Sequence, residues 1–127
     1  MRIAVVGSRN YTNYEEFKIL LLEELYSINK ILSSSPNGIE YVSGGASGVD
    51  SMARKFALEN ELPIKEFLPK WVTYGKQAGF LRNLKIVEYA DIGIAFWDGK
   101  SKGTKHSIDL FQKANKKVFV IRTDKIG

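Results

Sequence analysis

The chain has 127 residues, 44% of them hydrophobic and 26% charged, with 19 Lys and Arg against 14 Asp and Glu for a formal net charge of +5. That length suits one domain with a real core; the lack of cysteine excludes a disulfide framework or thiolate metal site, and the single histidine, His106, argues against a histidine-built one. No apolar run approaches the roughly 20 residues of a membrane span, and the start of the chain turns polar after Gly7, unlike a signal peptide; no membrane contact, metal or cofactor is therefore expected, and the expected setting is the cytoplasm of a cell or of an infected host. The lysines stand singly or in pairs such as Lys116-Lys117, which reads as a solvated basic surface and makes nucleic acid an unlikely partner.

Arg2 to Val6 is a short apolar, β-branched run that stops at Gly7-Ser8, the pattern of a buried strand. Thr12 or Asn13 can cap a helix in which Phe17, Leu21, Leu25, Ile28 and Leu32 recur at helical spacing, and the run Ser33 to Gly38 carries turn chemistry. Ile39 to Ser43 reads as a second strand running into Gly44-Gly45, and Val49, Met52, Ala53, Phe56 and Ala57 mark one face of a second helix. Pro63 to Leu68 is expected as a third strand, and Tyr74 to Tyr89 as a third helix burying Ala78, Leu81 and Ile86. Asp91 to Trp97 gives a fourth strand, Ile108 and Phe111 place a fourth helix, and Lys117 to Ile121 a fifth strand.

Strands alternating with helices imply parallel pairing through right-handed crossovers. The expected fold is α/β: a single doubly wound, Rossmann-like parallel sheet of five strands in the order 3-2-1-4-5, spanning residues 1–127 as one domain. Ligands in such sheets bind at the carboxyl ends of the strands, where the strand order reverses, here between strands one and four.

Three strand-end loops carry unusual residues. After the first strand, Gly7 permits a tight turn, Ser8 offers a hydroxyl and Arg9 a planar fork for phosphate or carboxylate, although a solvated arginine on an ordinary turn fits as well. After the second, Ser43, Gly44, Gly45, Ser47 and Gly48 precede a helix, where bare N–H groups and the dipole favour an anion. The run is neither a P-loop nor a dinucleotide fingerprint. Asp50 either stabilises that helix dipole or binds a ribose hydroxyl. After the fourth strand, Gly103-Thr104 forms a second cradle made electropositive by Lys100 and Lys102, although Lys102 fits a solvated lysine as well, beside Asp98; Trp97 is either core or a stacking wall for a base. On the third helix Gly79, Arg82, Asn83 and Ile86 share a face, so Arg82 and Asn83 can reach one ligand. Gly75 and Gly79 suggest close approach by a backbone or a ligand, while Trp71 and Tyr74 either stack on a base or cover the sheet.

Gly-Ser-Arg, Ser-Gly-Gly-Ala-Ser-Gly-Val-Asp, Tyr-Gly-Lys-Gln-Ala-Gly-Phe-Leu-Arg-Asn and Ala-Asp-Ile-Gly-Ile-Ala-Phe-Trp-Asp-Gly-Lys-Ser-Lys-Gly-Thr occur in that order between Ile3 and Val120. Together they resemble the small YspA/YpsA-like members of the SLOG superfamily. The resemblance implies a Rossmann-like fold that binds nucleotides or ADP-ribose-type signals, often as a homo-oligomer, either dimer or tetramer. Relatives include the DNA-processing protein DprA and the lonely-guy phosphoribohydrolases. Arg82 matches the arginine those hydrolases use, and Asp98 would serve beside it in an enzyme. Their Gly-Gly-x-Gly-Thr-x-x-Glu motif, however, has Ser107 where the glutamate belongs. An oxocarbenium-like transition state needs a nearby negative charge, so the expectation is a binding protein that acts as a sensor or sequesters its ligand, including as a phage anti-defence protein. An N-glycosidase acting on a nucleoside phosphate is the first alternative and DprA-like nucleic-acid binding the second.

Overall fold

The computed structural model describes residues 1–32 and 38–125. The side chain of Leu32 and the turn expected at residues 33–37 lie outside the described residues. Five parallel strands, β1 (Arg2–Gly7), β2 (Glu40–Ser43), β3 (Ile64–Glu66), β4 (Ile92–Trp97) and β5 (Val118–Arg122), form one sheet in the order β3-β2-β1-β4-β5. Helices α1 (Tyr14–Leu32), α2 (Val49–Glu59), α3 (Trp71–Tyr74), α4 (Ala78–Tyr89) and α5 (Lys102–Lys113) connect them.

Alternation along the central strands sorts side chains to the two faces. Ile3 and Val5 of β1, with Ile92, Ile94 and Phe96 of β4, pack against Phe17, Leu21 and Ile28 of α1 and Val49, Met52 and Phe56 of α2. Ala4 and Val6, with Ala95, meet Ile86 and Val87 of α4 and Ile108 and Phe111 of α5. The second face is built from small residues, and this lets its helices come close. A Cβ on Gly93 would lie 2.6 Å from the Phe111 ring, so the glycine fills a packing role there.

Two elements depart from the expectation. β3 has three residues instead of the six from Pro63 to Leu68. Its partner β2 sets that length: Ser43 pairs with Glu66 and its carbonyl accepts the Phe67 N–H at 2.8 Å, after which β2 runs into Gly44 and offers nothing further. The helix expected from Tyr74 to Tyr89 is instead α3, a 3₁₀ turn (Gly75–Gln77) and α4. Gly75 has φ +58° with open space where a Cβ would stand, so it serves a left-handed break and not a close approach. Leu81, expected in the core, is only partly buried. No described helix is long and apolar enough to cross a membrane.

Candidate functional site

The chain passes from β1 outward to β2 and β3, then returns to place β4 on the other side of β1. At the carboxyl ends of β1 and β4 the loops therefore diverge, and a cleft of about 570 Å³ opens between them. Gly7, Ser8, Arg9, Asp50, Arg82, Asn83, Asp98, Gly103 and Thr104 all line it.

The loop after β1 is fixed by its backbone. Ser8 N–H donates to the Phe96 carbonyl (3.2 Å), the Ser8 carbonyl accepts the Val49 N–H (3.2 Å), and Ser8 Oγ accepts the Asn10 N–H (3.1 Å). Ser8 is buried by these contacts, and the next residue, Arg9, is turned out into the cleft mouth. Arg9 makes no hydrogen bond or ion pair with any described residue.

Arg82 is held differently. Its Nη1 donates to the Gly44 carbonyl at 2.6 Å and its Nε to Asn83 Oδ1 at 2.9 Å. Because Nε can only donate, Asn83 turns its oxygen towards Arg82 and its Nδ2 towards His106 Nδ1, 3.2 Å away. His106 must then accept at Nδ1, which suits a ring whose pKa burial pushes below the ordinary value. Burial also lowers the Arg82 pKa, Asp50 opposes that shift, and Arg9 adds to it; an arginine nonetheless keeps its charge at neutral pH. The cleft thus holds one free guanidinium and one oriented by a relay of side chains.

The two carboxylates facing this space shift in opposite directions. Burial raises the Asp50 pKa against the lowering effects of the Ala46 N–H, Arg82 and Ser43. Asp98 is lowered, chiefly by the Ser101 N–H (2.7 Å) and the Lys100 N–H (2.9 Å) that it accepts. Asp98 thereby folds the loop so that Lys100 and Ser101 join the cleft lining. Ser101 caps α5: its Oγ accepts the Thr104 N–H at 3.4 Å.

Other expected site residues stand elsewhere. Gly45 and Ser47 line a smaller cavity of about 290 Å³ beside the first. Ser43 is buried behind the loop, with its Oγ 3.4 Å from the Gly45 N–H it accepts. The space beside Gly44 is filled by the Arg82 side chain, and a Cβ on Gly48 (φ +71°) would collide with the backbone of Ser8 and Arg9. Trp97 packs against the second core and donates its Nε1 to the Ser101 carbonyl at 3.1 Å, bracing the loop from behind. Lys102 is exposed and does not line the cleft. Lys100, expected to make the second cradle electropositive, does line the cleft, whereas sequence reasoning missed Asn10, Ala46, Ser101 and Ser107 as lining residues. Ser101 could have been found, because Asp98-Gly99 begins a turn that leads to a Ser cap.

Fold and site together define a Rossmann-like protein of the SLOG superfamily. The family profile described as DNA recombination-mediator protein A matches residues 1–72, and this chain belongs to that family. The Gene 61 protein of Mycobacterium phage D29 is 34% identical over 119 residues, covering 89% of this chain and 90% of that protein. Among solved structures, DNA processing protein A of Helicobacter pylori, described with a single-stranded DNA binding mode, is similar with TM-score 0.68 and 25% identity over 94% of this chain. DNA processing protein A of Streptococcus pneumoniae shares the fold with TM-score 0.71 at 21% identity over 98% of this chain. The structural-genomics target TM1055 shares it at TM-score 0.64 and 20% identity, covering 92% of this chain and 71% of that one. The chain spans 64% and 51% of the two DNA processing protein A chains.

These relatives correct one expectation. The absence of a basic run makes nucleic acid an unexpected partner, yet a similar protein is described with a single-stranded DNA binding mode. A search for basic runs does not detect charge assembled by folding: Arg9, Arg82 and Lys100 come from three separate segments and line one cleft.

Proposed function

We propose that residues 1–127 act as a binding domain for single-stranded nucleic acid, working in the cytoplasm, with a backbone phosphate seated in the cleft between β1 and β4. The observation that carries this reading is the convergence of Arg9, Arg82 and Lys100 on one cavity at the switch point of the sheet. Arg9, free of protein acceptors among the described residues, supplies an uncommitted fork for phosphate. Gly103, in the first turn of α5, offers an N–H with no intrahelical acceptor. Membership of the recombination-mediator family and the likeness to a single-strand-binding protein support the same choice of ligand.

Fluorescence anisotropy with a labelled oligo-dT strand tests it. Binding should weaken steeply as salt rises, since each neutralised phosphate releases counterions, and duplex DNA should bind less well. An affinity for oligo-dT no better than that for free deoxynucleotides would overturn the proposal.

A second reading is favoured by the size of the cleft, which at about 570 Å³ falls in the range of small-molecule sites. On it the chain senses or sequesters a nucleotide or ADP-ribose-type ligand, and the phage origin of a relative 34% identical in sequence suits an anti-defence role. Calorimetry with ADP-ribose and mononucleotides distinguishes the two: micromolar small-molecule binding without strand binding selects this reading. Cleavage of a nucleoside phosphate is a third course, for which Arg82 and Asp98 would be the working pair. Asp98 is already engaged by two backbone N–H groups, and Ser107 is buried at the cleft wall. Chromatography for released base tests that activity directly.

A further inference from the structure

We infer that the smaller cavity beside the cleft is a base-stacking subsite, in which Trp71 receives the nucleobase next to the phosphate held by Arg9 and Arg82. The inference rests on the single-strand reading above and adds a second point of contact along the strand.

The two cavities share a wall. Arg9, Ala46 and Arg82 line both, and beyond the arginines the smaller space is closed by Pro69 and Trp71. At about 290 Å³ it has about half the volume of the first, which is about 570 Å³. Cationic groups on one side and an aromatic wall on the other match a nucleotide strand, whose phosphates and bases alternate in the same way.

Trp71 is also placed as a residue the fold does not use. It is 50% exposed and belongs to neither core cluster, and its indole N–H meets no acceptor among the described residues. A tryptophan that only covered the sheet would be buried with the rest of the core. Instead its ring lies along α4 at Gly79, where a Cβ would stand 3.6 Å from Cη2. That distance is ordinary van der Waals contact, so the ring rests against α4 at its exposed surface without filling a space that only glycine could leave. Pro69 just before α3 stiffens the approach to Trp71.

The test uses oligo-dT and an abasic strand of equal length, with W71A, W71F and R82A. In the parent, oligo-dT should quench tryptophan fluorescence on binding. W71A should bind oligo-dT about tenfold more weakly, in line with base–aromatic stacking, and should bind the abasic strand as the parent does. W71F should recover most of the affinity without the quench, which assigns the signal to Trp71 and shows that the loss in W71A is not misfolding. R82A should weaken both strands. If W71A matches the parent on oligo-dT while R82A does not, the subsite is overturned and strand binding stands. If the parent binds neither strand, the underlying reading falls and takes the subsite with it.

Discussion

The loop after β2 and the loop after β4 both present glycine at the start of a helix, yet they differ in what lies beside the missing side chains. Next to Gly44 stands Arg82, and next to Gly48 the backbone of Ser8 and Arg9; next to Gly103 there is nothing within 4 Å. The first loop is closed on itself, with Asp50 Oδ2 accepting the Ala46 N–H at 3.1 Å and Ser51 Oγ donating to the Ala46 carbonyl at 3.1 Å. The second is organised by Asp98 but leaves the first turn of α5 open to the cleft. A glycine count therefore measures how tightly backbone is packed as readily as it measures a ligand site. The space around each glycine distinguishes the two.

The sharpest way to break this comparison is G48A. At φ +71° and ψ −125° an L side chain is strained, and the new methyl would also strike the Ser8 and Arg9 backbone. Strain and overpacking together should cost about 3 kcal/mol or more, read as a lowered urea midpoint. A stability within 0.5 kcal/mol of the parent, roughly the scatter of neutral surface changes, would show that Gly48 is not a packing residue.

R82A should have the next largest effect. Its guanidinium joins the β2 loop to α4 through the Gly44 carbonyl and faces the cleft at the same time. Losing a charge-assisted contact should weaken oligo-dT binding roughly 10- to 100-fold. R9A should lose less and leave stability unchanged, because Arg9 has no protein partner among the described residues. It should instead lower the salt dependence of binding by about one unit of slope. Equal losses of stability in both variants would contradict the different ways the two arginines are held.

The fold was legible because its signals are local. Five β-branched runs separated by helical periodicity allow few topologies, and the strand order follows from crossover handedness and from where chemistry-bearing loops fall. The gathering of Arg9, Arg82, Asp98 and Thr104 at one cleft was legible too, since the switch-point rule acts on strand ends. What sequence could not give was occupancy. Nothing in the string shows that Arg82 fills the space at Gly44, that Trp97 faces the core, or that Lys102 points away from the cleft while Lys100 lines it. The break at Gly75 was hidden for a related reason: glycine lowers helix propensity without revealing whether the chain bends.

The two cleft carboxylates extend the comparison to charge. Asp50 has its pKa raised by burial, so in the carboxylate range the folded state binds a proton more tightly than the unfolded chain. Its contribution is most favourable in acid and is lost as pH rises through the folded pKa. Asp98, lowered by the N–H groups it accepts, favours folding at neutral pH and loses that contribution as pH falls. D50N, which can still accept from the Ala46 N–H, should raise the urea midpoint at pH 7, with the gain vanishing in acid. D98N should lower it at pH 7. On the single-strand reading D50N should also tighten oligo-dT by about two- to fivefold, because it removes a negative charge that repels the phosphate from the cleft wall. If Asp50 instead holds a ribose hydroxyl, D50N weakens ribonucleotide binding, and calorimetry with ADP-ribose separates the two.

The smallest effect is expected at the open glycine. Gly103 lies in the first turn of α5 with free space beside it, so G103A gains helix propensity and meets no clash. It should stabilise the protein by about 0.5 kcal/mol, opposite in sign to G48A. Yet if a phosphate approaches the Gly103 N–H, the methyl intrudes on it, and oligo-dT affinity should fall a few-fold while the melting temperature rises. Those opposite movements are the signature of a glycine retained for a ligand, since a packing glycine loses stability and binding together. If G103A gains stability with unchanged affinity, phosphate does not reach α5, and the anion site contracts to Arg9 and Arg82 on the far side of the cleft.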